Sequence, residues 1–90
     1  MPDHDPVRLK RLYFRSRHRG TKELDALLGR FAERYLGSLT AAELDQYEAL
    51  LAEPDPDLFN WITGSMPPPS AYDTGVLARL AEVYLGSDGQ

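Results

Sequence analysis

Proline and glycine cut this chain into pieces too short for anything but small helices. Breaks stand at Pro6, Gly20, Gly37, Pro54-Asp55-Pro56, Gly64, Pro67-Pro68-Pro69 and Gly86, so no uninterrupted stretch runs much beyond sixteen residues. Within the pieces, apolar residues recur at helical spacing, and strict alternation of the kind a half-buried strand needs is missing. The stretch from about 21 to 36 is the clearest case. Leu24, Leu27, Leu28, Phe31 and Tyr35 stand at i, i+3, i+4, i+7 and i+11, one continuous stripe on a helix. Gly37 follows where a left-handed helix terminator belongs.

The other helices declare themselves by their caps. Asp5-Pro6 predicts a helix over about 6–17, with aspartate as cap and proline in the first turn. Thr40-Ala41-Ala42-Glu43 is a capping box, and Leu39 with Leu44 is placed to close a hydrophobic staple, opening a helix over about 41–52. Asp55-Pro56 repeats the cap-and-proline signal for a helix over about 56–63, whose Leu58, Trp61 and Ile62 read as core. Met66-Pro67-Pro68-Pro69 reads as a stiff connector in preference to a polyproline ligand for another domain. A last helix is expected over about 71–85, with Leu77, Leu80, Ala81 and Tyr84 on one face and residues 87–90 fraying. The expected fold is all-α, a single small bundle of about five short helices occupying residues 1–90.

Composition narrows the function classes. Without cysteine there is no disulfide framework or thiolate metal site, and two histidines cannot form a His-rich cluster. Apolar runs fall far short of the roughly 20 residues that span a bilayer, so no membrane insertion is expected. The acidic N-terminus has neither a secretory apolar core nor the arginines of a transit peptide, which suggests a cytoplasmic protein. Charge is unevenly placed: residues 1–22 hold seven cations against Asp3 and Asp5, while twelve acids against three cations follow. Such a basic head on an acidic body either forms a binding face or lies against its own acidic remainder.

Catalytic motifs are absent. Ser16, His18 and Asp25 make a triad only on paper, because triads draw on residues set by separate rigid elements. The first helix is more informative. Leu9, Leu12 and Tyr13 share a core face; Arg8, Arg11, Arg15 and His18 run down another; Lys10 and Arg17 form a second basic line. Val7 and Phe14 fall between the two basic lines. They are either a second buried edge or an exposed aromatic ringed by arginine, the composition of an interface anchor. In the following turn, Gly20 is required either for a positive φ or for close approach of other backbone. Thr21 can cap the second helix, Glu23 suits its first turn, and Arg19 with Glu23 could form a local ion pair.

Three segments in order carry a resemblance to a known family: Arg11-Leu12-Tyr13-Phe14-Arg15-Ser16-Arg17, then Arg19-Gly20-x-x-Glu23 with Leu24-Asp25, then Asp55-Pro56-Asp57-Leu58-Phe59-Asn60-Trp61. Together they resemble the SdhE family of FAD assembly factors, whose mitochondrial relatives are succinate dehydrogenase assembly factor two and whose signature is RGxxE. Thr21-Lys22 stands where many members carry methionine first, outside the defining positions. The resemblance implies a helical bundle, monomeric when free, that binds the flavoprotein subunit of succinate dehydrogenase and promotes covalent FAD attachment to a histidine there; some members also serve fumarate reductase. It implies a non-catalytic factor that keeps no FAD of its own. Arg19, Gly20 and Glu23 would be the contact motif, and Arg8, Arg11, Tyr13, Phe14 and Arg15 would extend the interface. The missing targeting sequence suits a bacterial member. The alternative from another class is a small nucleic-acid-binding domain using the basic first helix, opposed by the acidic body. Making the turn itself catalytic would require FAD affinity, for which there is no dinucleotide fingerprint.

Overall fold

In the computed structural model, which describes residues 5–86, every α-helix but the fourth begins behind a side chain that accepts from a free backbone N–H. Helix α1 spans Pro6–Ser16, with Asp5 accepting from the Val7 N–H. Helix α2 spans Lys22–Tyr35 behind Thr21, whose hydroxyl accepts from Leu24. Helix α3 spans Ala41–Leu51 behind the complete Thr40/Glu43 capping box, and Leu39 and Leu44 beside it are both fully buried. Helix α4 spans Asp55–Thr63 and α5 spans Gly75–Leu85, each ended by a left-handed glycine, Gly64 and Gly86. No strand occurs among the described residues.

The core is one cluster fed by every helix. Leu12 of α1 shares it with Leu24, Leu28 and Phe31 of α2, and with Leu44, Tyr47 and Leu50 of α3. Leu58 and Ile62 of α4 and Val76, Leu77, Leu80 and Val83 of α5 complete it. Helix α5 packs against α2, α3 and α4, while α1 lies across α2 and α3. Phe31 and Tyr47 sit ring to ring with centroids 5.0 Å apart. Two hydroxyls, those of Ser16 and Tyr47, enter this core and pair there. The buried Ser16 hydroxyl donates to the Leu12 carbonyl at 2.7 Å and lies 2.5 Å from the Tyr47 hydroxyl.

Four expectations change. Helix α5 starts at Gly75 instead of residue 71, because a 3₁₀ turn over Ser70–Tyr72 intervenes and Thr74 provides the cap. Its inner face is correspondingly rotated: Val76 and Val83 are buried, whereas Tyr84 is 45% exposed. Gly37 is not a left-handed terminator but the middle of a 3₁₀ turn over Leu36–Ser38. Trp61 is only partly buried, lying on the cluster's edge with its ring stacked on Tyr72 at 5.3 Å. The expected fraying of residues 87–90 lies outside the described residues.

Candidate functional site

Between α1 and α2 the chain turns at Arg17–Thr21, and Arg19 fixes that turn to the α3–α4 junction. Its Nε donates to Asp55 Oδ1 at 2.7 Å, and its Nη2 lies 2.5 Å from the same oxygen. Nη1 donates to the Leu51 carbonyl at 2.6 Å and Nη2 to the Glu53 carbonyl at 2.8 Å. Leu51 is the last residue of α3, so the guanidinium satisfies a carbonyl the helix leaves open and sits at the negative end of its dipole. The Arg19 side chain is only 11% exposed. The Arg19 backbone is held as well, its N–H donating to Asp25 Oδ1.

Gly20 completes the knot. Its N–H donates to Asp55 Oδ2 at 2.7 Å. A Cβ at this position would stand 2.9 Å from that same oxygen, closer than a carbon and a held carboxylate tolerate. Gly20 does not have a positive φ. Of the two reasons the sequence offered for glycine here, close approach is the operative one, and what approaches is a carboxylate instead of a backbone. Asp55 is therefore not the side-chain cap of α4. Pro54 occupies the cap position and Asp55 begins the helix, with its carboxylate turned to Arg19 and Gly20.

Glu23 is different. It lies exposed in the first turn of α2, and no described residue pairs with it, Arg19 included. Arg19 is thus an inward anchor, whereas Glu23 is open to solvent.

The cations of the first helix divide similarly. Arg8 donates from Nε and Nη2 to Glu48 (3.2 and 2.9 Å) and from Nη2 to Asp45 (2.6 Å), both on α3. The hydrogen bond to Asp45 leads in raising the Arg8 pKa above its ordinary value, and partial desolvation opposes it. Arg15 stands 3.7 Å from Glu48, and Arg17 2.8 Å from Glu33 of α2. With Arg19, four of the basic head's seven cations are matched to the acidic body. Lys10, Arg11 and Lys22 remain exposed without a partner among the described residues. Tyr13 packs half-buried against the core, whereas Phe14 is 62% exposed and stacks on His18 at 3.9 Å. Val7 is 67% exposed, so this edge of α1 faces outward and is not a second buried edge.

The paper triad does not assemble: Ser16 is bonded within the core, His18 Nδ1 pairs with the Phe14 carbonyl, and Asp25 holds the Arg19 N–H. Among the described residues, no group of three or more metal-ligating side chains is gathered, and no helix is long and apolar enough to cross a membrane. Sequence reasoning missed Asp55 and Asp25 as supports of the turn. The available signal was that both lie in segments that carry the family resemblance, Asp25 two residues after Glu23 and Asp55 at the start of the third segment.

Comparison with known proteins shows the family. The family described as flavinator of succinate dehydrogenase matches residues 10–84. The chain is similar to the FAD assembly factor SdhE of Acetobacter pasteurianus, 42% identical over 80 residues that cover 89% of this chain and 73% of that protein. It is also similar to the mitochondrial succinate dehydrogenase assembly factor 2 of Scheffersomyces stipitis, 44% identical over 84% of this chain and 54% of the relative. The corresponding protein of Dictyostelium discoideum is 44% identical over 88% of this chain and 55% of its own length. The chain thus spans about half the length of these mitochondrial relatives. By a match that runs from Lys10 within α1 through the turn, α2, α3 and α4 to Tyr84 near the end of α5, the chain belongs to the family of flavinators of succinate dehydrogenase.

Proposed function

We propose that this protein is a non-catalytic assembly factor that docks on the flavoprotein subunit of succinate dehydrogenase and promotes covalent attachment of FAD to that subunit. The observation that carries this is the outward-facing Glu23 on a turn held rigid from within by Arg19, Gly20, Asp25 and Asp55. A backbone already fixed in place has little freedom to lose on binding, so the entropic cost of docking falls mainly on the Glu23 side chain. Arg19 supports the contact from inside, Gly20 lets the carboxylate beneath it close, and Glu23 meets the client. Lys10, Arg11 and Phe14 on α1 supply a second, basic and aromatic contact area. FAD belongs to the client throughout, and the new flavin–protein bond forms there. Action as a monomer in a bacterial cytoplasm, with fumarate reductase as a second client, completes the proposal.

The test is in-gel flavin fluorescence of denatured flavoprotein subunit, produced with no factor, with this protein, or with Glu23→Ala or Arg11→Glu. Covalent flavin should rise with the wild type and fall toward the no-factor level with the variants, both of which change exposed side chains. No rise with the wild type overturns the proposal.

A further inference from the structure

Glu23 overlooks more than the turn. It lines a small cavity of about 140 Å³ with Thr21, Asp55, Pro56 and Phe59. It also lines a larger one of about 450 Å³ with Ala26, Leu27, Arg30, Phe59 and Tyr84. Glu23 and Phe59 belong to both, so the two form one groove running from the turn along α2 toward the end of α5. Its floor and far wall are apolar and aromatic. Phe59 and Tyr84 meet edge to face with centroids 6.1 Å apart, and Tyr84 is 45% exposed. We propose that this groove seats a short extended segment of the flavoprotein client, with an Arg or Lys at its Glu23 end and apolar side chains over Phe59 and Tyr84.

Charge selects that occupant. The Glu23 carboxylate has no partner among the described residues and shares its end of the groove with the Asp55 side chain, so it is costly to cover unless the covering surface brings a cation. Arg30 lies two helical turns further along α2, about 10 Å from Glu23 along the axis. Among the described residues it is held only by a 3.4 Å bond to the Val83 carbonyl, so that end of the groove suits a carboxylate or carbonyl. About three extended residues span the same distance. The groove is continuous with the turn through Glu23, so one client surface can engage both. The inference rests on the flavoprotein being the client.

Ala26 is exposed and lines the groove, so Ala26→Arg obstructs it without removing core. Tyr84→Asp reverses the character of its far wall, and Ala49→Arg, on exposed α3 surface, is the control. Affinity for purified flavoprotein subunit is measured by biolayer interferometry beside urea unfolding of each variant. Ala26→Arg and Tyr84→Asp should weaken binding about tenfold or more with unchanged urea midpoints, and Ala49→Arg should bind as wild type. If both groove variants bind within about twofold of wild type while Glu23→Ala weakens binding, the client docks on the turn alone and the inference fails. It fails equally if FAD alone has its fluorescence quenched in a Tyr84-dependent way, or if sedimentation shows a self-association that Ala26→Arg abolishes. No binding by wild-type protein removes the functional proposal itself.

Discussion

Removing the Asp55 carboxylate should be among the most damaging single changes outside the apolar core. Asp55→Ala deletes two contacts from the Arg19 guanidinium and one from the Gly20 N–H. With side chains 11% and 20% exposed, solvent can only partly replace the lost partner. A hydrogen bond to a charged group contributes about 1.5–3 kcal/mol, and losing a carboxylate from the first turn of α4 adds about 0.5 kcal/mol. Arg19 keeps the Leu51 and Glu53 carbonyls, which holds the total below the ~3–5 kcal/mol of an abandoned buried charge. The expected loss is about 3 kcal/mol, or a Tm lower by about 15 °C for a domain this size. Urea unfolding followed by Trp61 fluorescence measures it. Gly20→Ala makes the stricter test, because its Cβ clashes only with the Asp55 carboxylate and Gly20 has no positive φ. In the wild type it should cost about 1–2 kcal/mol. In the Asp55→Ala background it should be neutral or stabilising by about 0.5 kcal/mol, through the unfolded chain's lost freedom. Equal destabilisation in both backgrounds would refute the close-approach account of Gly20.

Three further outcomes follow from the same geometry. Burial raises the Tyr47 phenol above its ordinary value of 10.0, so the folded state keeps a proton that the unfolded state releases. Stability should therefore be fully present below pH 10 and decline above it, by up to about 1.4 kcal/mol per pH unit. Tyr47→Phe should flatten most of that limb in urea titrations, leaving the smaller same-sign contribution of Tyr72, whose phenol is raised by its bond to Glu53. Trp61→Ala, at the core's edge and stacked on Tyr72, should cost about 2 kcal/mol by circular dichroism, less than the ~3–5 kcal/mol of a fully buried aromatic. Thr40→Ala, which breaks the α3 capping box, should cost about 1 kcal/mol in urea unfolding.

The helices were legible because their signals are local. Asp5, Thr21 and the Thr40/Glu43 pair each act within three residues of themselves, so cap chemistry read from spacing survives folding. The α5 start was misread because Ala71 and Tyr72 extend the apolar pattern backwards, although Thr74 before Gly75 was the better cap. Its inner face is not legible locally because Val76 and Val83 compete with Tyr84, and packing against α2, α3 and α4 decides the rotation. Asp55 shows the deeper limit. Aspartate before proline has the local form of a helix cap, yet its partners Arg19 and Gly20 lie 36 and 35 residues away. A local signal was complete in itself and still lost to a long-range one. The charge asymmetry likewise left binding and internal matching equally open, because spacing alone does not bring Arg8 to Asp45 and Glu48.

That division between inward and outward groups makes the turn's two charged residues separable. Arg19 has its fork spread over three acceptor groups, the Asp55 carboxylate and the Leu51 and Glu53 carbonyls. A lysine's single ammonium cannot reach all three from one position. Arg19→Lys should therefore cost about 2 kcal/mol, and any loss of client flavinylation should recover at a temperature where the variant is fully folded. Glu23→Gln leaves every internal contact in place, since no described residue uses that carboxylate. Its stability should match the wild type within about 0.5 kcal/mol, and its loss of flavinylation should persist at every temperature. Covalent flavin measured beside folded fraction between 10 and 40 °C distinguishes the two behaviours. Recovery of Glu23→Gln on cooling would make Glu23 a support like Arg19 and remove the outward face from the mechanism.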